Sequence, residues 1–150
     1  MKEKFTTNIK KLRKEFNVSQ PQLANEIGYG KSVISSWEIG EQIPSAEAII
    51  ILSRYFQVST DYLLNVTDDN TTLHRFDDFD VDLVIFNYRL KDLRLKKKLS
   101  QNELAKRTSL TQTSINHWEN GKCSPNANAI IALANFFGVT TDYLLGESDF

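Results

Sequence analysis

The stretch "SQPQLANEIGYGKSVISSWEIGEQIPS", Ser19 to Ser45, has a diverged second copy, "SQNELAKRTSLTQTSINHWENGKCSPN", Ser100 to Asn126. The offset is 81 residues and holds without a gap. It pairs Trp37-Glu38 with Trp118-Glu119, Gly40 with Gly121, Pro44 with Pro125, and "TDYLL" at Thr60 with "TDYLL" at Thr141. About two dozen identities fall between residues 9–65 and 90–146. The chain is two copies of one module, so whatever sets the fold must be common to both.

That requirement disposes of one reading. "GYGKS" at Gly28–Ser32 looks like the tail of a phosphate-cradling loop, but the loop needs a glycine at position 25, which is Asn25. The second copy has neither the glycines nor the Lys-Ser pair, and no strongly β-patterned strand leads into the first. Nucleotide binding is set aside.

What the copies do share has a helical period. Phe5, Ile9 and Leu12 are spaced for one helix face, and Phe86, Leu90 and Leu93 repeat them. Ser19 and Ser100 stand where an N-cap is wanted before a second helix, and Ser100 with Glu103 forms a candidate capping box. Leu23, Ala24 and Ile27 make that helix's apolar stripe, with Ala24 and Ala105 small enough for a neighbouring helix to cross closely. Gly28-Tyr29-Gly30 ends it, where positive φ is cheap. A third helix is expected from about Lys31 to Ile39, with Val33, Ile34 and Trp37 inward. Its counterpart runs from about Gln112 to Asn120, capped by Thr111, with Ile115 and Trp118 inward. Gly40 and Gly121 end these helices. Pro44-Ser45 and Pro125-Asn126 precede a fourth helix carrying Ile49, Leu52 and Phe56, or Ile130, Leu133 and Phe137. Ser59 and Thr140 cap a last short helix, with Asp61 and Asp142 near its positive end.

Two short helices joined by a tight turn, inside a unit of about 60 residues, resemble the phage-repressor and Cro-like (XRE-type) helix-turn-helix family. The Ser-Gln opening, Leu-Ala, inward Ile, Trp-Glu-x-Gly and later Pro stand at that family's spacing twice. The resemblance covers residues 5–66 and 86–146. It implies an all-α chain of two tandem five-helix repressor-like domains, 1–66 and 81–150, joined by an acidic linker, 67–80. Two positions depart from the family's pattern. Ser109 stands where glycine is usual in the turn, and Gly30 replaces a Ser or Thr cap, a loss of only a few tenths of a kcal/mol.

The resemblance also implies where double-stranded DNA would be read. With Ile34 and Trp37 inward, Lys31, Ser32, Ser35 and Ser36 share the opposite face of the third helix. In the second copy these are Gln112, Thr113, Asn116 and His117. Such a face lies in the major groove, where Gln and Asn bond adenine with two hydrogen bonds and Thr offers its methyl to thymine. Three serines read less selectively, so the second module is expected to set most of the specificity. Phosphate contacts, which position without reading, are implied at Gln20, Gln101, Asn120 and Lys122. Ile39 and Glu41, the first copy's equivalents of the last two, are poor phosphate ligands.

Other residues have plainer roles. Trp37 and Trp118 are core residues, Lys96–Lys98 read as a solvated loop adding diffuse charge, His74 as a linker residue, and Cys123 as incidental. His117 is balanced between touching a base and standing idle.

The net charge of −1 hides an uneven distribution. Residues 1–66 carry 8 basic and 7 acidic side chains, 67–86 carry 1 and 6, and 87–150 carry 9 and 6, or +1, −5 and +3. The acidity sits in the middle, and the C-terminal half is mildly basic. Within it, Phe79, Val81, Leu83 and Ile85 alternate like a strand, while Phe79, Leu83, Phe86 and Leu90 suit an extended first helix. The helix, from about Val81, is favoured. A linker of about 15 residues spans at most roughly 50 Å, enough for recognition helices one DNA turn apart, about 34–36 Å. Phe76 and Phe79 beside Asp68, Asp69, Asp77, Asp78 and Asp80 could dock on a module or a partner.

These readings converge on a sequence-specific DNA-binding transcriptional regulator, most simply a repressor that occludes a promoter. The alternative is a dimerising or antitoxin-type autoregulator in which only the second domain reads DNA; a homodimer or a protein partner stays open. No carboxylate pair, nucleophile–base pair or Cys/His cluster suggests an enzyme, a cofactor or a metal site. No apolar run is long enough to span a membrane, and no secretion signal is visible. A prokaryotic or phage cytoplasm is the expected location.

Overall fold

The computed structural model describes residues 4–70 and 80–149. Every regular element among them is a helix, and the helices group into two compact units whose main division falls between Val81 and Asp82. The first unit holds α1 (Ile9–Glu15), α2 (Gln20–Ile27), α3 (Lys31–Ile39), α4 (Ala46–Phe56) and α5 (Thr60–Leu63). The second holds α6 (Val84–Lys96), α7 (Gln101–Thr108), α8 (Gln112–Glu119), α9 (Ala127–Phe137) and α10 (Thr141–Leu145).

The helix starts follow from their caps. Ser19 Oγ accepts the Gln22 N–H at 3.1 Å, and Ser59 Oγ that of Tyr62 at 3.0 Å. Thr111 and Thr140 do the same for Ser114 and Tyr143. At Ser100 the exchange is reciprocal: its hydroxyl accepts from Glu103 N–H at 3.0 Å, and Glu103 Oε1 accepts from Ser100 N–H at 3.2 Å. Gly30 caps α3 without a side-chain bond, as its lack of a hydroxyl dictates. The turn after α2 uses Gly28 at φ 81°, and the turn after α7 forces Ser109 to φ 59°. A side chain in this left-handed region carries steric strain that glycine escapes.

Each core sits where the helices' apolar stripes meet. Ile9, Leu23, Ile34, Ile49 and Leu63 are fully buried in the first unit, and Phe86, Leu104, Ile115, Ile130 and Leu144 in the second. Trp37 and Trp118 are buried, and the Tyr29 ring meets Trp37 edge-on at 5.0 Å. The last helix of each unit is tied back to the first. Asn8 Nδ2 donates to the Tyr62 carbonyl at 2.8 Å, and Arg89, its repeat equivalent, donates to the carbonyl of Tyr143.

Several expectations need correcting. Phe5 precedes α1 instead of lying on it. Its backbone carbonyl passes so close to Gly40 (φ 79°) that a Cβ there would lie 2.6 Å away, a second reason for glycine. α6 begins at Val84, not Val81, because Asp82 Oδ1 accepts the Val84 N–H at 3.1 Å and opens the helix there. Residues 80–83 have no regular structure, so the strand reading fails for that part. Val33 and Leu93 are half-buried; in α6 the inward position beyond Leu90 belongs to Arg94. Gly121 (φ 70°) follows the C-cap of α8, which is Asn120. His74, Phe76, Asp77, Asp78 and Phe79 lie outside the described residues.

Candidate nucleic-acid interface

In each unit a buried ion pair fixes the third helix. Arg13 of α1 forks onto Glu38 of α3, with Nε–Oε1 3.0 Å and Nη2–Oε1 2.8 Å, and its Nη1 donates to the Val18 carbonyl at 3.0 Å. Gln20, the first residue of α2, adds an amide bond to Glu38 Oε2 at 2.8 Å. The second unit repeats this set at the same offset. Arg94 Nε meets Glu119 Oε2 at 2.9 Å, Nη2 meets Oε1 at 2.7 Å, and Nη1 meets the Leu99 carbonyl at 2.8 Å. Gln101 reaches Glu119 Oε2 at 3.4 Å. The carboxylate side chains are 1% and 3% exposed, so the charges are paired away from water. A bidentate guanidinium–carboxylate pair is directional as well as strong. Three helices and a loop carbonyl are thereby locked into one orientation.

Sequence reasoning missed this clamp. Its signal was present: Arg13 with Arg94, and Glu38 with Glu119, are identities at the same 81-residue offset.

With Ile34 and Trp37 buried, the outer face of α3 presents Lys31 and Ser32 exposed and Ser35 and Ser36 half-buried. On α8, with Ile115 and Trp118 buried, Gln112 and Thr113 are exposed and Asn116 and His117 half-buried. The four expected positions thus share a face in each unit. The units differ in how that face is held. Gln101 Oε1 accepts from Gln112 Nε2 at 2.8 Å and from Asn116 Nδ2 at 3.2 Å. Each of those amides spends one N–H on Gln101 and keeps its carbonyl and second N–H for another partner. Lys31 and Ser35 occupy these positions in the first unit.

The side chains of Gln20 and Gln101 are half-buried and already bonded within their own units, yet they stand at helix N-termini, where backbone N–H groups lack partners within the helix. Beyond α8, Asn120 and Lys122 are exposed; Asn120 Nδ2 donates to the Asn116 carbonyl at 2.9 Å and the Lys122 N–H to that of His117 at 2.8 Å. Ile39 and Glu41, their counterparts, are exposed too. The lysine run is partly engaged at home. Lys96 pairs with Asp92 at 2.9 Å, which raises its pKa, and Lys97 lies 5.5 Å from the Phe136 ring centroid.

The Helix-turn-helix family model HTH_3 matches residues 9–63 and again residues 90–144. The chain belongs to this family. It is 42% identical over 64 residues to the HTH-type transcriptional activator BcrR of Enterococcus faecalis, covering 43% of this chain and 31% of that protein. It is 34% identical over 68 residues to Repressor protein C2 of Salmonella phage P22, covering 44% of this chain and 32% of that protein. The match therefore spans about a third of either relative. The crystal structure of the P22 c2 repressor in complex with a synthetic operator aligns with TM-score 0.41 and 28% identity, over 43% of this chain and 97% of that one. The tandem helix-turn-helix chain has all-helical units, as the family resemblance implied.

Proposed function

We propose that this tandem helix-turn-helix chain is a sequence-specific DNA-binding transcriptional regulator, acting as a repressor by occluding a promoter. Its domains are 1–66 and 81–150, with 67–80 as linker. The observation that carries the reading is a contrast between the copies. The clamp of Arg, Glu and Gln is identical in both, while all four outward positions differ: Lys31 against Gln112, Ser32 against Thr113, Ser35 against Asn116, Ser36 against His117. A shared frame with unlike faces suits a reader of two unlike half-sites. The relatives' names, an activator and a repressor, support regulation and point away from catalysis.

In this reading Gln112, Thr113, Asn116 and His117 reach base edges, and Lys31, Ser32, Ser35 and Ser36 read the other half-site less selectively. Gln20, Gln101, Asn120 and Lys122 hold phosphates. The same reading places the chain beside DNA in a prokaryotic or phage-infected cytoplasm; no helix of the described residues is long and apolar enough to cross a membrane. A second reading has its own support: Ile39 is 47% exposed, and with Glu41 it stands where the second unit has Asn120 and Lys122. There the first domain serves a protein partner or autoregulation, and only the second reads.

Selection of binding sites from random DNA with the full chain tests both. Two unlike half-sites about one turn apart support the tandem reader, and a symmetric site, with one domain reading and the other dimerising, supports the second reading. Asn116→Ala should relax preference at one half-site by about 1–3 kcal/mol, and Ser36→Ala should do nothing if the first domain is not a reader; an equal loss from both would refute the division of labour. Weak binding without enrichment, lost steeply as salt rises, would defeat both.

A further inference from the structure

Helix α6 is apolar on two opposite sides. Phe86 and Leu90 enter the core, while Val84, Tyr88 and Leu95 are 67%, 69% and 54% exposed on the far side. With exposed Lys91 between them they occupy positions 84, 88, 91 and 95. That four–three–four spacing is the seam of a heptad. It is no general property of the module: the repeat-equivalent residues are Glu3, Thr7, Lys10 and Lys14, all polar in the sequence. α6 also has 13 residues against 7 for α1, so the seam runs roughly 16 Å at 1.5 Å per residue.

We propose that this seam pairs two copies of the chain, α6 against α6 of the second copy, antiparallel. A four–three–four spacing reads the same in both directions. A two-fold axis near the helix midpoint therefore sets Val84 against Leu95 of the second copy and Tyr88 against its Lys91. The interface is isologous and closes on itself. The Lys91 ammonium lies over the facing Tyr88 ring, an attraction available to a cation on an aromatic face. Asp92 and Lys96, joined at 2.9 Å, form the polar rim. The exposed parts of Val84, Tyr88 and Leu95 amount to roughly a few hundred Å² per copy, within the range that monomers expose. That area falls short of the roughly 800 Å² per partner of a stable complex. The dimer is therefore weak and reversible, in equilibrium with the monomer. It stands independently of the DNA reading, since α6 lies outside the α7–α8 pair.

Sedimentation equilibrium of the full chain without DNA, across the micromolar range, tests this. The wild-type chain should show a monomer–dimer equilibrium. Leu95→Lys and Val84→Glu, each installing the first module's residue type at an exposed position, should weaken it at least about tenfold, with helicity by circular dichroism unchanged. The double variant Val84→Glu/Leu95→Lys sets carboxylate against ammonium across an antiparallel seam, so it should bind more tightly than either single variant. A monomer throughout, or a dimer indifferent to both single substitutions, overturns the proposal. A double variant weaker than both singles overturns the antiparallel arrangement.

Discussion

Glu119→Leu is the sharpest probe of the frame that presents α8. The Glu119 side chain is 3% exposed and accepts two short bonds from Arg94, whose own side chain is 9% exposed. Leucine removes the charge and leaves the guanidinium with the Leu99 carbonyl alone. Breaking a buried pair by deleting one partner costs about 3–5 kcal/mol. A domain of about 70 residues has a total stability of roughly 3–10 kcal/mol, so the loss takes from about a third to all of it. With a urea slope near 1 kcal/mol/M, the midpoint should fall by about 3–5 M or the domain should be unfolded at the outset. The chain has two tryptophans, Trp37 in one domain and Trp118 in the other. Their indole N–H signals, followed by NMR through a urea series, read the two domains separately, with Trp37 as internal reference. Arg94→Met/Glu119→Leu should recover more than half of the loss, because an apolar pair leaves no stranded charge. A single-variant loss below about 1 kcal/mol, the range of solvent-exposed pairs, would refute the reasoning. So would a double variant as unstable as the single.

Two smaller effects belong to the caps and turns. Ser109→Gly should stabilise the second domain by about 1 kcal/mol by relieving the left-handed turn, raising its Tm by roughly 4–8 °C in a thermal scan; no gain would mean the turn is unstrained. The Ser100 backbone N–H, with its hydroxyl, holds the Glu103 carboxyl below its usual range. A depressed carboxylate contributes stability above the unfolded value, about 4.3, and loses it as pH falls through the folded value. Glu103→Gln should therefore flatten the acid limb of a stability–pH profile, and an unchanged limb would count against the linkage.

The repeat made much of this legible. Alignment of the two copies at one offset, together with helical period and cap chemistry, located the helix-turn-helix pairs, the caps at Ser19, Ser59, Ser100, Thr111 and Thr140, and the outward positions on α3 and α8. What it did not reveal depended on partners distant in sequence or on charge in a place reserved for apolar side chains. Apolar periodicity put Leu93 inward because it cannot register Arg94, whose burial depends on a carboxylate 25 residues away. The start of α1 at Ile9 is set by Asn8, whose backbone N–H and side chain reach the carbonyls of Leu63 and Tyr62. No local pattern around Phe5 announces a tie to residues more than fifty positions on. Asp82, by contrast, was a local signal for the start of α6 that the ambiguous alternation around it obscured.

The Gln101 carbonyl, shared by Gln112 and Asn116, makes three positions one inherited unit. A substitution at any of them changes the donors and acceptors the other two have to spare, so their effects on base preference should be non-additive. The second domain's taste in DNA would then shift in jumps, several letters of the half-site moving together. If the proposed reading holds, the first domain, with Lys31 and Ser35 at those positions, would be the copy in which single letters can be exchanged one at a time.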